Sequence, residues 1–298
     1  MKMNTKNKEL WRFIAVIFVF MAFSATASAA VINVPADYPT IQQAINNVTA
    51  ANRTIEVNAA TYAATETVVV NKSNIIIRSV NGRAEVKANG ASDHVFNITD
   101  QKNVTLQGFE IRDARGTSQD VAGIYMYNAS ECNISNNVVT NISATGGNGA
   151  FGIMGSAMNV SLTDTSISDI YGNDSAFGIM GSAMNVSLTD TSIIDIYGNA
   201  RAFGIMMNAI NANFDPTVIE NVTAVNGVAY GIWMIGAENA NFTDTSISDI
   251  YGNASAAGIW MMEARNANFT DTSIIDIYGA SAFGIMMNAI NANFDPTV

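Results

Sequence analysis

The sequence AFGIMGSAMNVSLTDTSI occupies residues 150–167 and recurs unchanged at residues 176–193. A second segment, AFGIMMNAINANFDPTV, occupies residues 202–218 and recurs unchanged at residues 282–298. Looser copies fill most of the remaining chain, so the unit of structure is a repeat of about 27 residues. Repeats of this length stack into solenoids, in which each copy contacts only its neighbours.

One apolar position marks the register of the repeat along the chain. Its successive occurrences are 29, 28, 28, 26, 26, 28, 27 and 25 residues apart. The residues are Ile77, Leu106, Ile134, Leu162, Leu188, Phe214, Phe242, Phe269 and Phe294. Together with a strand expected near residues 55–57, this position predicts about ten coils.

Each copy contains three short extended pieces, separated by clusters of Gly, Asn, Asp and Ser. They are typified by residues 204–207, by residues 160–162 and by a piece centred on Ile167. Short, alternating and punctuated runs are typical of strands, and none of them has a sustained period of 3.6 residues. A propeller blade needs four strands in about 40 residues, which does not fit. The sequence therefore predicts an all-β fold, a single-stranded parallel β-helix with three strands per coil.

One helix is predicted, over about residues 38–49. The sequence Asp-Tyr-Pro-Thr at residues 37–40 starts it, because Pro is favoured in a first helical turn. Ile41, Ala44, Ile45 and Val48 then fall on one face. We expect this helix to cap the first coil, whose open strand edge would otherwise pair with other chains.

The first 29 residues have the pattern of a secretory signal peptide. Four basic residues precede a short apolar run at residues 13–23, and an Ala-Ser-Ala motif follows at residues 27–29. The alternative is an uncleaved N-terminal anchor. We therefore predict a signal peptide at residues 1–29 and a β-helix domain at residues 30–298, with regular repeats from about residue 103. The predicted location is secreted, extracellular or at the cell surface.

The charge of the chain excludes two classes of partner. The full chain carries −11, and removal of residues 1–29 takes away four positive charges and one negative charge, leaving −14. After Arg115 the basic residues are Arg201 and Arg265 alone. Such a surface repels nucleic acid and anionic bilayers. We expect no nucleic-acid partner and no membrane insertion after signal cleavage.

The chain stops at Val298, in the middle of a repeat. By comparison with the copy at Val218, the next residues would resemble residues 219–222. The sequence therefore predicts a product that is truncated at its C-terminus.

Two segments near the start of the predicted domain resemble a known family. They are VINVPADYPTIQQAINNV at residues 31–48 and RTIEVNAATYAATETVVVNKSNIIIRSVNG at residues 53–82. Together these segments resemble the N-terminal module of pectin-lyase-like proteins. They most resemble the NosD-like β-helix surface proteins that are common in methanogenic archaea. Beyond this segment only the style of the repeat is similar. The resemblance implies a right-handed β-helix. It implies several functions, because the family includes polysaccharide lyases and hydrolases, copper accessory proteins and surface proteins.

No catalytic residue is predicted. His94 is the only histidine, and a lone His in a strand-turn segment is more often structural. Arg112 and Asp113, with Arg115, form a mixed-charge cluster that we interpret as a solvated turn. Cys132 is expected to be a small buried hydrophobic residue. Nearly identical coils also disfavour a single tuned active site, which needs a unique constellation.

Two columns of aspartate run along the solenoid. The first consists of Asp164, Asp190, Asp244 and Asp271, with Pro216 in the gap. The second consists of Asp169, Asp195, Asp249 and Asp276, with Asn221 in the gap. Asp is a preferred turn residue for local reasons. No cofactor is predicted, and the alternative is that the first column binds Ca²⁺.

Strand alternation predicts an apolar row on the outside of the solenoid, which we name the stripe. If the isoleucine of each Gly-Ile pair points inward, the residue after it points outward. The stripe consists of Tyr125, Met154, Met180, Met206, Trp233, Trp260 and Met286. Exposed rows of this size usually mark a contact surface, and aromatic faces suit sugar rings. Cu(I) binding by the methionines is the alternative, without a His or Cys cluster to support it.

About fifteen N-x-S/T sequons occur in the chain. Asn159, Asn185, Asn241 and Asn268 recur with the coil and are the predicted glycosylation sites. Asn and Thr are also the residues that β-helix turns use, so some sequons are coincidental.

Three functions are consistent with these features. The first is a secreted or cell-surface structural and binding protein that contacts polysaccharide or envelope components through one face of the solenoid. The second is a polysaccharide lyase or glycoside hydrolase. The third is a NosD-like copper accessory protein.

Overall fold

The computed structural model describes residues 30–91 and 93–297, and the predicted signal peptide lies outside them. Parallel strands β1 to β24 and one helix, α1, make up this part of the chain. Helix α1 spans Ile41–Asn46. The strands β1 to β12 are Val31–Val34, Thr54–Asn58, Ala63–Thr65, Val68–Val70, Ile75–Val80, Ala84–Lys87, Phe96–Thr99, Val104–Gln107, Phe109–Arg112, Arg115–Gly116, Val121–Ser135 and Val138–Ala144. The strands β13 to β24 are Gly149–Thr163, Ser166–Gly172, Ser175–Thr189, Thr191–Gly198, Arg201–Phe214, Thr217–Ala224, Val228–Ile235, Asn239–Thr243, Thr245–Gly252, Ser255–Ile274, Ile277–Gly279 and Ala282–Thr297.

Each coil passes through three faces in turn. In the coil that begins at β15, the first face contains Ile179, the second face contains Leu188, and the third face contains Ile193. Each strand pairs in parallel with the equivalent strand of the coil before and the coil after. The prediction of a parallel β-helix of about ten coils is confirmed.

The apolar position that marks the register is a continuous column in the second face. Every predicted step is a direct pair in the structure, from Ile77 with Leu106 to Phe269 with Phe294. The column also extends back to Ile55 and Ile32. Near its end the rings of Phe214, Phe242, Phe269 and Phe294 stack with centroids 4.8 Å apart. This is the spacing of neighbouring strands, so identical residues in successive coils stack without adjustment.

The first and second pieces of most coils are one bent strand, where the sequence predicted two. In β13 and β15 the strand runs for 15 residues through the corner between these faces. The corner residue Asn159 has a φ of 55°, in the left-handed region that Asn tolerates better than most residues. The extended chain therefore continues through a corner that composition alone marks as a turn, although direct pairing with β15 is interrupted at Met158 and Asn159.

Buried polar side chains line the inside of the corner between the second and third faces. One threonine in each of five successive coils occupies the inside of this corner, and Asn137 occupies it in the coil before them. The threonines are Thr165, Thr191, Thr217, Thr245 and Thr272. The Thr165 hydroxyl lies 3.1 Å from the carbonyl oxygen of Thr163 and 3.3 Å from that of Ile134. Most of these residues bond to backbone groups at a bend where the backbone ladder is interrupted. The Thr217 hydroxyl is the exception, since it is buried with no partner among the described residues.

Helix α1 is shorter than predicted. Thr40 is its N-cap and accepts a hydrogen bond from the Gln43 backbone N–H, so Pro39 precedes the helix. Ile41, Ala44 and Ile45 are buried against the first coil, as expected of a cap. No helix in the described residues is long and apolar enough to cross a membrane.

Candidate functional site

The stripe is an ordered row on the outside of the first face. Its members pair directly from coil to coil, from Tyr125 with Met154 to Trp260 with Met286. The isoleucines before them belong to the main core. All stripe side chains are half-buried, which is less exposure than the sequence suggested.

The stripe is half-buried because it packs on a second row of rings that lies outside the main core. We call this the Phe row; its members are Phe151, Phe177, Phe203 and Tyr230, and Ala122 and Ala257 continue it at either end. Neighbouring ring centroids are 4.9, 5.3 and 5.2 Å apart. Trp233 and Trp260 pack against Tyr230 and stack on each other at 5.9 Å. The indole N–H of Trp233 is buried and has no partner among the described residues.

A glycine brings the Phe row and the stripe together. In the coil with Phe177 and Met180, a Cβ at Gly178 would lie 2.3 Å from Cγ2 of Ile193, so this position faces the interior. Ile179 also faces the interior. Two inward residues in succession interrupt the alternation of the strand, and Phe177 and Met180 therefore lie on the same outer side. Strict alternation would have put Phe177 in the core, and for this reason the Phe row was not predicted from the sequence.

The turn between coils adds charged groups beside these rings. Ser175 Oγ donates to Asp174 Oδ2 at 2.7 Å, and Arg201 Nη2 donates to the same oxygen at 3.3 Å. Arg201 Nε also donates to Ser175 Oγ at 3.1 Å. The hydrogen bond from Ser175, and then that from Arg201, lowers the pKa of Asp174. Asp174 is therefore a carboxylate at neutral pH, an acceptor and not a proton donor.

The rings and the charged groups line one groove of about 310 Å³ on the outer side of the first face. This groove is defined by its lining residues, which are Asp120, Gly147, Gly149, Phe151, Asp174, Ser175, Phe177, Met180, Arg201 and Met206. Asp120 Oδ1 accepts a hydrogen bond from the Gly149 backbone N–H at 2.7 Å. An apolar floor with a few oriented polar groups is the usual composition of a ligand site.

His94 lies at the start of the Phe row and is part of the structure there. Its ring stacks on Tyr125 with centroids 4.5 Å apart, and its Nδ1 accepts a hydrogen bond from the Ala122 backbone N–H. Burial lowers the pKa of His94, although the carboxylates of Asp93 and Asp120 act in the opposite direction. The ring is therefore neutral at pH 7.

The charged cluster at Arg112 belongs to a network on the third face. Arg112 contacts Glu110 at 3.1 Å, Asp113 at 3.4 Å and Glu85 at 3.6 Å. Lys87 contacts Glu85 at 2.8 Å and Asp113 at 3.6 Å. The cluster joins neighbouring coils, so it is more than the solvated turn expected from the sequence.

Both aspartate columns lie where the chain bends. In the first column φ lies between 47° and 49°, and in the second column it lies between 55° and 60°. The first column is Asp164, Asp190, Asp244 and Asp271, and the second is Asp169, Asp195, Asp249 and Asp276. Left-handed residues are uncommon outside Gly, Asn and Asp, so the backbone alone accounts for aspartate here. Within the described residues, no group of three or more His, Cys, Asp or Glu could hold a metal ion. Calcium binding by the first column stays a prediction.

The predicted glycosylation sites occupy two different positions of the coil. Asn159 and Asn185 belong to a ladder of side-chain amides in which each Nδ2 donates to the Oδ1 one coil below. The steps are 2.5 Å from Asn185 to Asn159, 2.6 Å from Asn211 to Asn185 and 2.7 Å from Asn239 to Asn211. Asn241 and Asn268 are exposed on the second face, outside this ladder. Glycosylation stays a prediction at all four.

A row of tyrosines on the third face was also not predicted. Tyr171, Tyr251 and Tyr278 are 60%, 47% and 54% exposed. Tyr197 joins them, and Thr223 interrupts the row. The signal was present as the repeated sequence Ile-Tyr-Gly, which also has the ordinary pattern of a strand followed by a turn.

Cys132 is buried, as expected, and burial raises the pKa of its thiol. A buried neutral thiol is a packing group and not a nucleophile.

No family model and no curated protein sequence matches this chain. Among solved structures, pectate lyase Pel9A is 13% identical, with a TM-score of 0.54 over 87% of this chain and 74% of that one. The fold is the pectate-lyase-like right-handed parallel β-helix. This β-helix also aligns with the periplasmic alginate epimerase AlgG, at 10% identity and a TM-score of 0.49 over 90% of this chain and 84% of that one. At such identities the similarity establishes the fold alone.

Proposed function

We propose that this β-helix is a secreted or cell-surface protein that binds a polysaccharide chain along its first face. The observation that carries the proposal is the groove, in which the half-buried Met180 and Met206 lie beside the charged groups of Asp120, Asp174 and Arg201. The buried rings of Phe151 and Phe177 support these methionines. The C–H face of a sugar packs on apolar and aromatic groups, and its hydroxyls need acceptors and donors at the rim.

The stripe extends this surface along the solenoid axis. Successive coils add one apolar side chain about every 4.8 Å, so an extended polymer meets similar contacts over several coils. The fold gives plausibility to a carbohydrate partner, since a pectate lyase shares it. The proposal for this chain is binding and not lyase chemistry.

The test is binding to a glycan array and to soluble polysaccharides by affinity electrophoresis. The variants are Trp233→Ala and Trp260→Ala in the stripe and Arg201→Ala in the groove. We expect each variant to weaken binding by about tenfold, the effect of losing one good contact. Tyr251→Ala on the third face is the control, and its binding should match wild type.

Several outcomes would overturn the proposal. If wild-type protein binds no glycan, or if all three first-face variants bind like wild type, the proposal fails. A loss confined to Tyr251→Ala would move the binding surface to the third face. Unsaturated products from uronate polymers, abolished by Arg112→Ala or Arg115→Ala, would replace binding with lyase activity.

A further inference from the structure

The charge of the groove restricts the kind of polysaccharide that it can take. Asp120 and Asp174 contribute two negative charges, and Arg201 contributes one positive charge that is already paired with Asp174. His94 lies at the start of the Phe row, and burial lowers its pKa so that the ring is uncharged at pH 7. The groove therefore has a net negative charge and no cation that lacks a partner.

The surroundings do not reverse this charge. From residue 116 onward the chain has two arginines and sixteen acidic residues, a net charge of −14. Arg115 precedes Asp120 by five residues, but its guanidinium donates to Ser143 Oγ on the third face at 3.4 Å. The other arginine, Arg265, lies in β22, three coils beyond the coil of Phe177. Calcium could in principle bridge a polymer carboxylate to the protein. Within the described part of the chain, no group of three acidic, His or Cys side chains could hold such an ion without the polymer's own carboxylates, so binding is compared with and without EDTA.

The groups in the groove suit an uncharged sugar. Carboxylates only accept hydrogen bonds, so Asp120 and Asp174 fit hydroxyl donors. The half-buried side chains of Met180 and Met206 offer an apolar floor for the C–H face of a pyranose ring, and the rings of Phe151 and Phe177, which are 3% and 4% exposed, support this floor from below. A polymer with a carboxylate on every sugar would bring like charges beside Asp120 and Asp174 in a partly desolvated groove, where repulsion exceeds that in water.

We infer that the groove takes a neutral polysaccharide and discriminates against polyuronates. This inference rests on the proposed function, because it names the class of ligand for the same surface. A neutral ligand differs from what the fold alone suggests, because pectate, the polymer named for the lyase of similar fold, is a polyuronate.

The test compares each polyuronate with its own carboxyl-reduced, uncharged form. Polygalacturonate and alginate are used before and after reduction, beside a panel of neutral glucans, mannans, xylans and galactans. Binding is measured by affinity electrophoresis at low and high salt, with and without EDTA. We expect at least one neutral polymer to bind about tenfold or more tightly than either polyuronate. Salt should have little effect on the neutral complex.

Matched variants connect the discrimination to the groove. Asp120→Asn with Asp174→Asn removes two negative charges and keeps an acceptor oxygen at each position. We expect this double variant to reduce the difference in affinity between neutral and charged polymers. Asp249→Asn with Asp276→Asn, at corners outside the groove, removes the same number of charges; this control should leave the difference in affinity unchanged.

The outcomes separate the two proposals. If a polyuronate binds as tightly as its reduced form, or more tightly, the inference is overturned while the proposed function stands. An equal loss of discrimination in Asp249→Asn with Asp276→Asn also overturns it, because the discrimination would then come from total charge. If no polymer binds at all, the proposed function fails and the inference fails with it.

Discussion

At the scale of the residue, close backbone approach gives Gly178 its importance. A Cβ there would lie 2.3 Å from Cγ2 of Ile193 and 2.6 Å from the Gly204 carbonyl oxygen. We expect Gly178→Ala to lower the free energy of unfolding by about 1–3 kcal/mol, since overpacked atoms force their neighbours to move. The measurement is the midpoint of urea denaturation. Asn241 is exposed on the second face, so Asn241→Ala should change stability by less than about 0.5 kcal/mol. Equal losses would contradict this explanation.

The amide of Asn185 is both a donor and an acceptor in the asparagine ladder. It donates to Asn159 at 2.5 Å and accepts from Asn211 at 2.6 Å. A carboxylate in its place cannot donate, so Asn185→Asp should cost about 1–3 kcal/mol at pH 7. Asn241→Asp, outside the ladder, should cost less than about 0.5 kcal/mol.

The loss in Asn185→Asp should depend on pH. The ladder disfavours the charged form, so the folded-state pKa of the new carboxyl is raised above its unfolded value of about 3.9. The deficit relative to wild type is then smallest below this unfolded pKa and grows as pH rises through the folded pKa. Thermal midpoints of both proteins at several pH values measure it. A deficit that does not change with pH would contradict the ladder explanation.

At the scale of the element, helix α1 depends on a partner from a later coil. Its six residues are too few for a stable isolated helix. Glu66 accepts hydrogen bonds from the backbone N–H groups of Ile41 at 3.0 Å and Gln42 at 3.2 Å. The Tyr62 hydroxyl donates to the same carboxylate, and burial raises the pKa of Tyr62, which keeps this donor protonated.

We expect Glu66→Ala to release the helix without unfolding the distant coils. Hydrogen exchange should speed up at the amides of Ile41 and Gln42 and stay unchanged in β15, because the solenoid can open locally. The local cost should be about 1–3 kcal/mol, since two backbone donors lose their acceptor. Unchanged exchange at both amides would show that packing of Ile41 and Ile45 alone holds the helix.

The second-face column shows what the sequence reveals about an element. The step from Leu162 to Leu188 was predictable because an apolar residue recurs at a nearly constant interval, and pairing in register follows from burial. Phe177 was not predictable by the same rule, because Gly178 interrupts the alternation on which the rule depends. Asp174 and Arg201 were not predictable as a pair, because they lie on consecutive turns 27 residues apart and meet only after the coils stack.

At the scale of the whole molecule, the stacking rule predicts that complete coils can be removed. Residues 176–201 form one full repeat, and without them Ala202 follows Ser175 in the register that Ala176 has now. We expect this deletion variant to fold and to unfold cooperatively, because each coil contacts only its neighbours. A deletion of residues 176–188 should fail to fold, since it removes half a coil and brings unlike faces together.

The same deletion separates folding from binding. In the deletion variant Phe203 and Met206 take the positions of Phe177 and Met180, whereas Val228 takes that of Arg201, so the groove loses its cation. A surface built from many equivalent coils should lose little affinity when one coil is removed. A groove that depends on Arg201 should lose about tenfold or more, although the shortened solenoid keeps its fold. Circular dichroism and affinity electrophoresis on one preparation measure both properties. If the deletion variant folds and binds as tightly as wild type, binding belongs to the stripe as a whole. If it folds but binds more weakly, binding depends on the groove.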